Sequence, residues 1–156
     1  MSVGGNLLCR IGTGTSLVVG TVGADGAPRA TRAWAARVVD AASGRIRVVM
    51  SADDAQSVSN LGSGVVALTG ADVRTLESVQ LKGTIVVVEP ATAEDLEAVT
   101  AHTDAFFVAV EETDGLPISL LRRLMPREVI AFEFVVDGTF DQSPGPSAGA
   151  AVSPTP

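Results

Sequence analysis

The chain of 156 residues holds one cysteine, one histidine and one lysine, and each scarcity closes a class of function. A lone cysteine forms no internal disulfide. Without a CxxC or a paired histidine, Cys9 reads as a small buried hydrophobe near the start of the fold. The only histidine, His102, falls inside a helical pattern with no second ligand at a matching spacing. It therefore reads as a solvated or capping side chain, and no metal site, Ser-His-Asp or Cys-His arrangement is legible. The glycines at 12, 14, 20 and 23 do not reproduce a GxxxxGK[ST] or GxGxxG signature, and no GxSxG elbow occurs. Nucleotide triphosphate binding, a dinucleotide fold and a hydrolase lose their support.

Apolar runs are short as well. Ile85 to Val88 is strand-sized, far below the roughly 20 residues that a membrane-spanning helix requires. The opening MSVGGNLLCRIGTG lacks the basic and then apolar pattern of a secretory leader, so a cytoplasmic location is the expectation. The charge is one-sided: 11 basic against 18 acidic residues leave −7, which repels phosphate backbones and disfavours nucleic acid as a partner. All basic residues except Lys82 are arginine, the side chain suited to bidentate contact with phosphate or carboxylate, although base composition of the genome explains the bias equally well.

The remaining residues describe one globular domain. Hydrophobic residues make up 46%, enough for a single core at this length. Ser16 to Val22 is β-branched and is followed by GADGAP, whose Asp25-Gly26 step offers the positive φ of a tight hairpin. A second arm from Arg29 to about Val39 turns through AASG into Arg45 to Ser51, where Ile46, Val48 and Met50 alternate with Arg47 and Val49. Asp53 to Leu61 reads as a short helix capped by Asp53 or Asp54, with Val58 and Leu61 on one face. Val65 to Thr69 and Glu77 to Glu89 read as strands, the second with a bend or bulge at Gly83 and a stop at Pro90.

Thr92 to about Glu111 is the clearest helix. Thr92 is its cap, and Leu96, Val99 and Phe106 lie near one face. DGLP at 114–117 ends it, Ile118 to Met125 forms a short helix, and Glu128 to Val136 a last strand. Early hairpins without regular strand-helix alternation point to a mostly β, α+β fold: a six-stranded antiparallel barrel with flanking helices. The domain is expected to end near residue 140. The segment 141–156 is rich in Pro, Gly, Ser and Ala and is expected to be disordered from about Ser147.

Small polar and arginine side chains gather at the edges of these apolar strands. They are Arg29, Thr31 and Arg32 on the second strand, Ser51 ending the third, and Gln56, Ser57 and Asn60 on the short helix. Hydroxyls and guanidinium groups of this kind suit a terminal phosphate, and Arg29 and Thr31 equally suit an ordinary exposed strand face. Trp34 suits a core or a dimer interface, and one of the adjacent Phe106 and Phe107 suits a cover over a ligand or a partner.

The order PRATRAW, RVVMSADDAQSVSNL, then RTLESVQLKG with a strand and a long helix resembles the pyridoxamine 5′-phosphate oxidase-like, FMN-binding split-barrel family over Leu17 to Val136. The resemblance implies a homodimer that holds FMN, or alternatively a deazaflavin, at its interface. It places Arg29 and Arg32 near the phosphate or the ring edge, with Thr31 and Ala33 lining the strand. Ser51 and Ala52 would face the flavin, Gln56 and Ser57 the phosphate, and Ser78 and Gln80 would approach from the partner subunit. The implied function is flavin- or deazaflavin-dependent oxidoreduction of a small molecule, the alternative being a non-catalytic flavin carrier or a cofactor-free interaction module. Two departures stand out. Where the oxidases carry an Arg-Lys pair this chain has Gln56-Ser57, and the Arg- and His-rich C-terminal substrate segment is replaced by FDQSPGPSAG, so pyridoxamine 5′-phosphate oxidation does not follow.

Overall fold

A computed structural model describes residues 9–152. Six strands, β1 (Ser16–Val22), β2 (Pro28–Asp40), β3 (Arg45–Ser51), β4 (Val65–Ala71), β5 (Ser78–Pro90) and β6 (Val129–Asp141), close into an antiparallel barrel in the order β1-β2-β3-β6-β5-β4. The helices are α1 (Ala55–Asn60), α2 (Ala93–Asp114) and α3 (Ile118–Leu121). The expected barrel with flanking helices is the fold observed.

The hairpin from β1 to β2 turns where the Asp-Gly step predicts it, with Gly26 at φ +81° and the Gly23 N–H donating to Ala27 O over 2.9 Å. Alternate residues then point into the barrel. Leu17, Val19, Val48, Met50, Leu68, Leu81, Phe132 and Phe134 fill its interior and are fully or almost fully excluded from solvent.

A second apolar layer lies outside the barrel under α2. Trp34, Val49, Phe106, Phe107, Val110 and Ala131 pack together there, with Trp34 edge-on to Phe107 at 6.5 Å. Trp34 is therefore core, and Phe106 and Phe107 are both buried. The helix starts at a reciprocal cap. Thr92 Oγ1 accepts from the Asp95 N–H, and Asp95 Oδ2 accepts from the Thr92 N–H at 2.9 Å. This cap turns Asp95 inward and leaves Leu96, expected on the buried face, 51% exposed. On α1 likewise, Ser57 and Asn60 are buried while Val58 is only half-buried.

His102 is buried, not solvated. Its Nδ1 accepts from the Gly14 N–H at 3.3 Å and its ring stacks on Phe106. Burial pushes its pKa down to about 4 from the ordinary 6.5. An unfolded chain takes up this proton first as pH falls. The resulting stability is therefore complete above 6.5 and declines toward 4, by up to roughly 1.4 kcal/mol per pH unit. His102→Asn, which keeps an acceptor near Nδ1, should flatten that slope in chemical denaturation measured between pH 4 and 6.5.

Two further expectations change. Cys9 is exposed rather than buried. Strand β6 runs on to Asp141, and residues 142–152, expected to be disordered from Ser147, fold back on it: Gly149 N–H donates to Asp141 O at 2.7 Å and Val152 N–H to Thr139 O at 2.8 Å. Residues 153–156 lie outside those described. No helix among the described residues is long and apolar enough to cross a membrane.

Candidate functional site

A groove of about 780 Å³ runs over the barrel wall where β2, β1, β4 and β5 lie side by side. Its lining is mostly small and apolar, including Gly20, Ala30, Val65 and Ala67, with Arg29, Gln80 and Lys82 as its polar members besides Thr21 and Asp137. Small residues there follow from the strand register. Gly20 pairs with both Ala30 and Ala67, so three neighbouring strands lack bulk at one level, and a shallow channel results. Gln80 is held by its neighbour, Nε2 donating to Thr69 Oγ1 at 3.1 Å, and the Lys82 ammonium stands 4.7 Å over the Phe140 ring.

Pro28 and Arg29 also line an adjoining groove of about 400 Å³ with Gly23, Asp25, Gln56 and Asn60. Its amides are ordered by a relay: Gln56 Nε2 donates to Asn60 Oδ1 at 2.8 Å, and Asn60 Nδ2 to Thr21 Oγ1 at 3.2 Å. Arg29 stands at the junction of the two grooves. Its Nε donates to Asp54 Oδ2 at 2.6 Å, the oxygen that also accepts from Ser57 Oγ at 2.6 Å, while Asp54 Oδ1 accepts from the Gln56 N–H at 3.2 Å. Arg29 and these hydrogen bonds hold the Asp54 carboxyl down to about 2, so it is charged throughout the neutral range.

The residues singled out from the sequence thus divide. Arg29, Gln56 and Ser57 converge, around the Asp54 carboxylate, and Gln80 shares the larger groove with Arg29. Arg32 does not join them. Three residues apart on a regular strand, Arg29 and Arg32 fall on opposite faces, and the Arg32 guanidinium lies 5.8 Å over Trp34 and 5.3 Å over Phe106 beneath α2. Thr31 is half-buried on β2 opposite Val19. Ser51 ends β3, its Oγ accepting from the Asp53 N–H at 3.2 Å. Ser78 lies off both grooves, its Oγ donating to Leu76 O at 2.8 Å and its N–H to Ser143 Oγ at 3.0 Å.

Sequence reasoning did not single out Lys82, Thr21 or Asp54 for this site. The signal for Asp54 was its position two and three residues before Gln56 and Ser57, which a helix cap alone also explains. Among the described residues no group of three or more His, Cys, Asp or Glu could hold a metal ion.

No protein-family model and no curated protein sequence matches the chain. Solved structures do. The chain is similar to HupZ of Group A Streptococcus at 18% identity and a TM-score of 0.57, covering 94% of this chain and 99% of that one. It is similar to an F420 reductase at 14% identity and a TM-score of 0.50, over 88% and 98% of the two chains. A pyridoxamine 5′-phosphate oxidase-type protein of Lactobacillus delbrueckii matches at 17% identity and a TM-score of 0.50, over 86% and 88%. The likeness is one of fold: nearly the whole chain follows the barrel shared with these three structures.

Proposed function

We propose that this split-barrel chain is a homodimeric member of the pyridoxamine 5′-phosphate oxidase-like family that binds a flavin-type ring, that of FMN or of a deazaflavin, along the larger groove. The bound ring would move a hydride or electrons to or from a small organic molecule; that redox chemistry belongs to the cofactor. The observation that carries the reading is the groove itself. It is a channel of about 780 Å³ with an apolar floor and few polar groups, a size and lining suited to a flat heteroaromatic ligand.

In this reading Gly20 and Ala67 let the ring approach the strand backbone, the Gln80 amide and Lys82 ammonium meet its polar edge, and Arg29 marks where its side chain leaves toward the smaller groove. The fit is good for a ring and a polyol. It is poor for a terminal phosphate, because Arg29 is already neutralised by Asp54 and Arg32, packed over Trp34 and Phe106, does not line the groove.

Dimerisation has physical support in the same wall, where Val18 and the groove-lining Val65 are 37% and 50% exposed and leave apolar surface for a second copy to cover. Val65→Asp should shift gel-filtration elution from dimer to monomer and weaken ring binding with it, while leaving the barrel core intact. A working catalyst is distinguished from a carrier by anaerobic addition of NADH, NADPH or a reduced deazaflavin to the flavin-loaded protein. Bleaching of the visible band faster than free flavin supports catalysis, and binding without accelerated bleaching indicates a carrier.

A further inference from the structure

Of the four residues expected near a phosphate, Arg32 stands apart while Arg29, Gln56 and Ser57 are assembled, and each of these three donates to Asp54, through its guanidinium, its N–H and its hydroxyl respectively. We propose that Asp54 is a specificity-determining residue: its carboxylate occupies the anion seat beside the groove, so the site prefers a flavin-type ligand with an uncharged hydroxylated tail to one ending in a phosphate monoester. This rests on the reading that the larger groove holds a flavin-type ring.

The argument is one of charge and geometry. A carboxylate tethered to the chain satisfies Arg29 at 2.6 Å and Ser57 at 2.6 Å, so a phosphate must break both contacts to enter. It must also approach Asp54 and the Asp25 carboxylate that lines the smaller groove, while Arg29 is the one cation among the described residues lining that groove. A dianion gains one guanidinium and meets two carboxylates. A polyol meets the opposite balance: its hydroxyls donate to the Asp25 carboxylate and exchange hydrogen bonds with the Gln56 and Asn60 amides that line the smaller groove, with no charge to desolvate and no Asp54 contact to break.

Fluorescence titration of the full chain with riboflavin and with FMN tests this in the native protein and in Asp54→Asn. The amide keeps Oδ1 as the acceptor for the Gln56 N–H, which protects the start of α1, and puts an NH2 group, a donor to the Ser57 hydroxyl, where Oδ2 stood, so it gives up the charge and the acceptor that hold Arg29. The native chain should bind riboflavin at least as tightly as FMN. Asp54→Asn should tighten FMN about tenfold or more with riboflavin nearly unchanged, and adding Arg29→Gln should abolish that gain. Binding of both flavins with the same ratio in native chain and variant overturns the role of Asp54 and leaves the ring site standing. A native chain that already prefers FMN tenfold overturns it as well. Binding of neither flavin to either form overturns the ring site and the role of Asp54 together.

Discussion

Arg47→Ala is expected to cost about 3–5 kcal/mol of folding stability, the range for stranding a buried charge. The Arg47 side chain is 5% exposed and Asp95, its principal partner, 0%. Arg47 Nε and Nη2 reach the two Asp95 oxygens at 2.8 and 2.6 Å, and Nη1 donates to Glu89 Oε1 at 2.6 Å and Glu133 Oε1 at 3.0 Å. One guanidinium thus joins β3, the end of β5, the first half of β6 and the capped start of α2. Arg37 reaches Asp95 at 3.4 Å, and Arg45 pairs with Glu133, but neither substitutes for the bidentate contact. Arg47 holds the Asp95 carboxyl well below the usual carboxylate range, so this part of the stability is present above pH about 4 and is lost as pH falls further. Urea denaturation at neutral pH measures the loss. The double variant Arg47→Met with Asp95→Leu should recover much of it, because replacing a buried pair by apolar side chains removes the desolvation cost on both sides. A loss below about 1 kcal/mol for Arg47→Ala would mean that the pair is solvated, as surface pairs are.

Gly83→Ala is the second large effect, expected at about 3 kcal/mol, the upper end of overpacking costs. A Cβ at residue 83 would stand 2.1 Å from the Val135 carbonyl oxygen and 2.7 Å from Phe134 Cδ2, so β5 and β6 must part at that point. The register slips between Lys82 and Gly83, and this irregularity lets two 13-residue strands bend around the barrel. Gly62, with nothing within 4 Å of a built Cβ, is the control: Gly62→Ala should change the melting temperature little. Equal effects at the two positions would contradict the close approach.

How much of this was legible in the sequence depends on which forces were local. The hairpin at Asp25-Gly26, the Thr92 cap and the bulge at Gly83 are decided by a few adjacent residues, and all three are found where the sequence placed them. Burial of Arg47 was not legible. Alternation along β3 assigns it to a wet face, and only the packing of α2 over that face, with Asp95 turned in by its cap, makes the face dry. The end of β6 was hidden because Asp137 and Gly138 break the apolar alternation that ends at Val136, whereas pairing with the first half of β5 carries the strand through them. In the candidate site, the convergence of Arg29, Gln56 and Ser57 was legible and its anion was not: Asp54 read as a helix cap is the same atom set as Asp54 read as a counter-ion. The separation of Arg29 from Arg32 was available from the period of two alone, since residues three apart on a strand face opposite ways.

The direct measurement is a flavin titration of the purified chain, following fluorescence and visible absorption with riboflavin, FMN and a deazaflavin, with gel filtration of the mixture alongside. Saturable quenching by at least one ring, co-eluting with a dimer and weakened by Ala67→Trp, which fills the groove floor, is the expected result. A colourless protein that quenches none of the three, or that binds a ring equally well with the groove filled, would contradict a flavin site on this wall of the barrel.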